Sequence, residues 1–478
     1  MAVSNQQKNQ HLLWRAAFGP AISDVQNLKE SAPKKIFEKL VSSSATQPAA
    51  ISVVSNYMQQ LYEQMGGNIN PQNLTKEQKQ MIREQSRSGL KTLNLSWLNI
   101  IINTDAQFRE KMSFFWHGHF ACRIVNVFYQ QQLLDIIRKN ALNDFGTLLK
   151  QVSKSAAMLS FLNNQQNKKQ HPNENFAREV MELFTMGRGN YKETDIKEAA
   201  RAFTGWGFNI KGDFVERPFQ HDNGNKTFLG RTGNFTGDDI LEILLEQKQT
   251  AKFITEKIYK FYVNETPDPV QVKALADSFY TSGYNIKGLL EKLFTSDHFF
   301  SEKNIGTRIK SPIELIAGIR RILPMTIQKE EAQLLMQRVL GQTLFFPPNV
   351  AGWPGGKNWI DSSSLMVRLR LPQVLTNADE LSVKPKTDDD TAMGQDAQNG
   401  LPGKFQQVNA VVDWNKVMNS FTAVDRNNLS AAISNLLLQS RSNISKNIFE
   451  NYADKSSREE YIKSGIIHIM STPEYQLC

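Results

Sequence analysis

Apolar residues along this chain recur three and four positions apart far more often than they alternate, the spacing that gathers them on one face of a helix. It predicts helices from Leu12 to Ser42, Val53 to Met65, Lys76 to Thr104, Ala106 to Phe120 and Phe128 to Asn140. A further helix opens at Asp144-Phe145-Gly146-Thr147 and runs through Met158, and a polar loop from Asn163 to Pro172 separates it from a helix beginning at Asn173. Thr194 reads as the cap of the next helix, with Lys197 where the reciprocal acid of a capping box would stand. From Gly205 to Thr236 the periodicity gives way to Gly, Asn and Asp, with a small hairpin predicted around Lys211-Gly212-Asp213. Helical spacing resumes at Gly237 and continues, with short breaks, through Gln342, and Ser311-Pro312 reads as an N-cap followed by the first helical residue. A rigid irregular loop, Pro347 to Gly356, and a helix from Ser362 to Leu371 follow.

The fold class this pattern predicts is mainly α: a large multi-helix assembly with irregular Gly/Trp-rich loops and at most a small β hairpin. The stretch from Asn377 to Lys404 is rich in Asp, Gly and Pro and poor in large apolar residues. It divides the chain into a main helical domain, 1–376, a flexible linker or insertion, 377–404, and a C-terminal helical segment, 405–478, expected to pack back on the main domain.

Composition narrows the function classes. The chain has 478 residues, 40% hydrophobic and 22% charged, enough for a sizeable core. The formal net charge of +9 is modest for this length and no Lys/Arg run occurs, so nucleic acid is not an expected partner. The two cysteines, Cys122 and Cys478, give no disulfide framework and no thiolate metal site. No apolar run is long enough to span a membrane, and the polar stretch from Met1 to Gln10 lacks a signal core. A soluble, cytoplasmic location is the expectation, with a periplasmic or exported one as the alternative.

Candidate chemistry concentrates in the segment from Asn173 to Gly187. Phe176, Val180, Leu183 and Phe184 form an apolar stripe, while Glu174, Arg178 and Glu182 follow at four-residue spacing on an adjoining face. Glu179 and Glu182, three apart, are close enough for one carboxyl to be raised in pKa beside the other, the arrangement of a general acid and base. The plainer reading pairs Arg178 with Glu174 and Glu182 as helix-surface ion pairs. His117 and His119 with Glu174 would form a mixed N/O shell for a divalent metal ion, the one cofactor the sequence suggests. Against that stands a pair of interior histidines bonded to backbone or carboxylate. His221, beside Asp222 in the irregular region, is a candidate acid or base, and local turn bonding is its structural counterpart. Trp206, Trp353 and Trp359 lie in Gly-rich stretches, where they either stack on a polysaccharide or peptide, with Arg178 as a further substrate contact, or plug the core. No nucleophile elbow, P-loop or dinucleotide fingerprint occurs.

Several blocks in order along the chain, among them His11 to Pro20, Phe115-Trp116-His117-Gly118-His119-Phe120, Asn173 to Gly187, Ala199 to Trp206, His221-Asp222, Lys310 to Glu314 and Pro347 to Gly356, resemble the bacterial family known as domain of unknown function 1800. The resemblance implies a mostly helical protein, often encoded beside a secreted partner from uncharacterised family 1501, and implies no reaction. Ala17 stands where that family commonly has glycine. Two functions remain open at this level: a hydrolase-like or metal-binding enzyme with a His/Glu/Arg site, or a non-catalytic module that holds the co-encoded protein, a polysaccharide or a peptide.

Overall fold

The computed structural model describes residues 3–54, 59, 60, 63, 74–376, 408, 410–439, 447–449 and 451–478. The helix expected from Val53 to Met65 falls largely outside these residues, and the linker expected over 377–404 lies wholly outside them. The architecture is mainly α. In chain order come α1 (Asn5–Ala16), α2 (Val25–Glu30), α3 (Pro33–Ser43), α4 (Lys76–Asn103), α5 (Gln107–His119), α6 (Val127–Asn140), α7 (Phe145–Lys154) and α8 (Ala156–Phe161). Next are α9 (Glu174–Glu179), a π-helical segment (Val180–Thr185), α10 (Glu193–Ala202), α11 (Gly237–Leu245), α12 (Lys248–Tyr262), α13 (Pro269–Thr281) and α14 (Ile286–Phe294). Then follow α15 (Pro312–Ile322), α16 (Glu331–Val339), α17 (Ser362–Leu375), α18 (Trp414–Asn419), α19 (Leu429–Leu437) and α20 (Arg458–Met470).

Most boundaries have a local cause. Where one helix was expected from Leu12 to Ser42 there are three, because Gly19, at φ 91°, and Pro20 stop the first, and Pro33 opens the third. Asp144 accepts from Thr147 N and caps α7, and Ser311 accepts from Glu314 N while Glu314 accepts from Ser311 N, a complete capping box with Pro312 behind it. The helix expected to be capped by Thr194 starts two residues earlier, at Glu193 with Lys192 in the cap position, and Asp195 accepts from Lys192 N.

Among the described residues, three two-stranded antiparallel sheets exceed the single hairpin expected. Trp206–Phe208 (β1) pairs with Phe214–Glu216 (β2) around Lys211-Gly212-Asp213. Lys226–Phe228 (β3) pairs with Arg231–Gly233 (β4) across Leu229 and Gly230, both at positive φ (46° and 81°), a tight turn that a leucine does not advertise in sequence. Met325–Ile327 (β5) pairs with Ala410–Val412 (β6), a contact between distant segments that no local pattern reveals.

At the centre lies α5, whose side chains are buried on every face, Arg109, Glu110 and Lys111 included. Each of these charges meets a partner on a different element. Glu110 takes a forked contact from Arg138 of α6 (2.7 and 3.0 Å) and a bond from Trp97 Nε1 of α4 (2.8 Å). Arg109 donates to Ser44 O and Arg138 O. Lys111 donates to Glu314 of α15 (2.5 Å) and to Trp14 O of α1 (3.2 Å), and Arg308 closes on the same carboxylate. Burial pushes Glu314 upward, but Arg308 and Lys111 outweigh it and hold the carboxyl well below its usual range. From the C-terminal part of the chain, α20 packs on α17, and Cys478 exchanges backbone bonds with Arg308 (2.7 and 3.0 Å).

Because Lys111 and Arg308 stay buried when their acid is removed, Glu314→Gln is expected to destabilise the fold by roughly 3–5 kcal/mol in urea denaturation. The double variant Glu314→Leu/Lys111→Met removes one of the two stranded cations and is expected to recover only part of that loss, because Arg308 stays buried beside the site.

Candidate active site

Asn173 caps α9 by accepting from Asn175 N (3.0 Å), and the helix then buries Phe176 edge-on against Phe203, the residue that follows α10 (4.9 Å between centroids). Directly after Glu179 the backbone widens into the π-helical turns of Val180–Thr185, and Gly187, at φ 79°, ends them. A Cβ at Gly187 would stand 2.8 Å from the Phe253 ring, so only glycine fits. The carbonyls at this end are met one by one by side chains. Thr185 Oγ1 donates to Val180 O (2.7 Å), Lys257 Nζ to Leu183 O (3.1 Å), His119 Nε2 to Phe184 O (3.2 Å) and Gln249 Nε2 to Met186 O (3.1 Å).

His119 is thereby fixed as the Nε2–H tautomer, and its Nδ1 accepts from Lys257 Nζ (3.2 Å). Burial, with Lys257 beside it, holds the imidazole far below its ordinary pKa. Lys257 is itself pushed down to about 8, first by burial and then by Lys260. The pair acts as a clamp on the last turn of the π segment.

The outer face of the same segment is a charge cluster. Arg178 reaches Glu193 (2.8 Å), Glu174 (3.1 Å) and Glu182 (3.4 Å), so both of its terminal nitrogens are engaged. Glu182, 12% exposed, also takes Arg188 Nε (3.0 Å) and the Tyr191 hydroxyl (2.5 Å). Burial pushes Glu182 up, but the bonds from Tyr191, Arg188 and Arg178 prevail and leave its pKa below the ordinary value. Glu179 is the opposite case. Half-buried, it is raised by burial and then by the charge of Glu182, with Arg188 and Arg178 offsetting only part of the shift. Two carboxylates one turn apart are thus driven in opposite directions.

The other sequence candidates are distributed elsewhere. His117 points away from His119, as residues about 200° apart on a helix must. It accepts from Phe345 N (3.2 Å), sits among Trp97, Phe345 and Trp353, and is lowered to about 3 by burial. Glu174 lies with Arg178. The structure therefore does not bring the metal set of His117, His119 and Glu174 together, and among the described residues no group of three His, Cys, Asp or Glu is placed to hold a metal ion. Trp206, 1% exposed, donates to Glu216 (3.1 Å) and packs edge-on against Phe203 and Phe214, a core plug with no face for a ligand. Trp359 is also buried, at 8%, and Trp353 is half-buried against His117. Arg178 has no terminal nitrogen left over for substrate. His221 donates from Nδ1 to Thr204 O (2.9 Å), which leaves Nε2 as its acceptor, and Asp222 pairs with Arg201 (2.7 Å) rather than with the imidazole. Among the described residues no hydrogen bond joins His221 to Glu179 or Glu182.

Sequence reasoning missed Glu193, Arg188, Tyr191 and Lys257. The first three follow the Asn173–Gly187 segment closely enough to have been suspected. Lys257, on α12, carries no signal in sequence because only the tertiary fold brings it to the π segment.

The family described as protein of unknown function DUF1800 matches residues 11–477, and the chain belongs to it. No curated protein and no solved structure matches the chain. Among the described residues no helix is long and apolar enough to cross a membrane.

The clamp predicts a pH signature. Folded Lys257 releases its proton near pH 8, whereas the unfolded chain holds it to about 10.5. Between those values the unfolded state binds more protons, so this residue's contribution to stability rises with pH. In denaturant titrations the wild type is expected to gain on Lys257→Met across that window, and to hold a constant offset below it.

Proposed function

We propose that this chain is a hydrolase-like enzyme that works by general acid–base catalysis without a bound metal, with Glu179 as the catalytic residue. The observation that carries the reading is the opposite displacement of the two neighbouring carboxyls, Glu179 upward and Glu182 downward. A carboxylate made more basic by burial and a neighbouring charge, with no hydrogen-bond partner of its own among the described residues, is suited to take a proton from an attacking water. The water oxygen bonds to the substrate carbon, Glu179 receives the proton, and the same proton passes to the leaving group as the scissile bond breaks. Glu182, saturated by Arg178, Arg188 and Tyr191, acts as a positioning residue whose fixed charge keeps Glu179 basic. The location at an α-to-π junction supports the assignment, because π turns inside helices gather at functional sites.

Glu174, Glu179, Glu182 and Glu193 outnumber Arg178 and Arg188 in this patch, a field that disfavours polyanions and fits an uncharged polysaccharide or a peptide as substrate. A binding-module reading has its own support: Phe219, 92% exposed on the turn beside His221, would be the anchor for the co-encoded protein or a polymer.

The test is turnover of neutral glycans and peptides by the purified chain. Glu179→Gln is expected to lose turnover by about 100-fold or more. It is also expected to be at least as stable as wild type at neutral pH, because the fold disfavours the ionised carboxylate; this advantage shrinks as the pH falls towards 4.5, the ordinary value, and is gone below it. Glu174→Gln is expected to keep activity. Turnover that survives Glu179→Gln contradicts the assignment, and loss of polymer binding in Phe219→Ala without any turnover in the wild type favours the binding module.

A further inference from the structure

A cleft of about 790 Å³ opens away from this segment, walled by α1 to α3, the α4–α5 junction, the end of α15 and the β5–β6 pair. None of the residues from Glu174 to Glu193 lines it. Its volume lies within the range of small-molecule sites. The Arg321 guanidinium forms part of the wall, at the last turn of α15, with Nε donating to Gly19 O (3.0 Å) and Nη1 to Ile102 O (2.8 Å). Those two bonds close the C-terminal end of α4 and tie down the loop after α1, a structural role that accounts for two of the three guanidinium nitrogens. Nη2 makes no hydrogen bond among the described residues.

Lys35 and Lys39 also line the cleft from α3, one turn apart, and neither ammonium forms an ion pair among the described residues. Five basic residues, Lys35, Lys39, Arg320, Arg321 and Lys416, line the cleft against three acids, Asp24, Asp105 and Asp413. Asp413 is paired with Lys416 (3.0 Å), and Asp24 turns one oxygen to Ala21 N (2.8 Å). Burial lowers Arg321 to about 10, with the charges of Asp24 and Asp105 offsetting part of the shift. Between the two lysines, Ile36 adds an apolar surface at the wall.

We propose that this cleft binds a small ligand through a phosphate or carboxylate group, with Arg321 as the floor contact and Lys35 and Lys39 as the arms. A guanidinium with one free terminal nitrogen and two exposed, unpaired ammonium groups suits a compact anion better than a neutral or cationic ligand. The site is separate from Glu179 and stands or falls independently of the hydrolase reading.

The test is calorimetric titration of the full chain with inorganic pyrophosphate and, separately, with citrate. Saturable binding of at least one is expected, weakened about tenfold or more in Lys35→Ala/Lys39→Ala and retained in Lys35→Arg/Lys39→Arg. Both lysines are exposed, and an unchanged melting temperature verifies that the fold is intact. Binding of pyrophosphate alone assigns the site to phosphate, and binding of citrate alone assigns it to carboxylate. Absence of saturable binding for both probes, or binding unaltered by the alanine pair, overturns the proposal.

Discussion

Charges sealed inside a helical protein must meet their partners in every folded molecule, and three consecutive charges on α5 impose that condition on four other helices. Glu110 requires Arg138 of α6 and Trp97 of α4, while Lys111 requires Glu314 of α15 and the carbonyl at the end of α1. Removing one partner leaves a buried charge uncompensated, so the pairs specify a single arrangement of helices more than they add to stability. The consequence reaches the candidate site through the end of the same helix. His119, in the last turn of α5, donates to Phe184 O, and with Lys257 it holds the π segment that follows Glu179.

The π segment places two kinds of carboxylate on one short stretch of backbone. Glu182 is surrounded by donors and remains ionised at low cost. Glu179 is half-buried beside it without comparable help, an arrangement that stability alone would not select. Protein interiors normally compensate such groups, so an under-compensated carboxylate next to a fully compensated one is the kind of local conflict that active sites carry.

The helical architecture was legible because its cause is local: three- and four-residue spacing, caps such as Asp144 and Ser311, and stops such as Gly19-Pro20 all act within a few residues. The pairing of Arg178 with Glu174 and Glu182 was legible for the same reason, since four-residue spacing on a helix fixes it. What could not be read depends on contacts between distant segments. Glu193 completes the Arg178 cluster from the next helix, Lys257 comes from α12, and β6 finds β5 across more than eighty residues. Trp206 illustrates the ambiguity of composition: a tryptophan among glycines suits a binding loop and a core plug equally, and only its bond to Glu216 and its aromatic neighbours decide for the plug. The two histidines of α5 were close in sequence yet serve opposite sides of the helix, so proximity along the chain carried no information about a shared ligand.

The most direct measurement is a carboxyl-selective NMR titration of glutamate-labelled protein, with Glu179→Gln and Glu182→Gln identifying the two resonances. The account predicts that Glu179 titrates above the ordinary glutamate value and Glu182 below it, and that Glu182→Gln moves Glu179 back towards normal. Two carboxyls titrating together near 4.5, the unperturbed value, would contradict it and reduce the segment to a helix-surface ion-pair network.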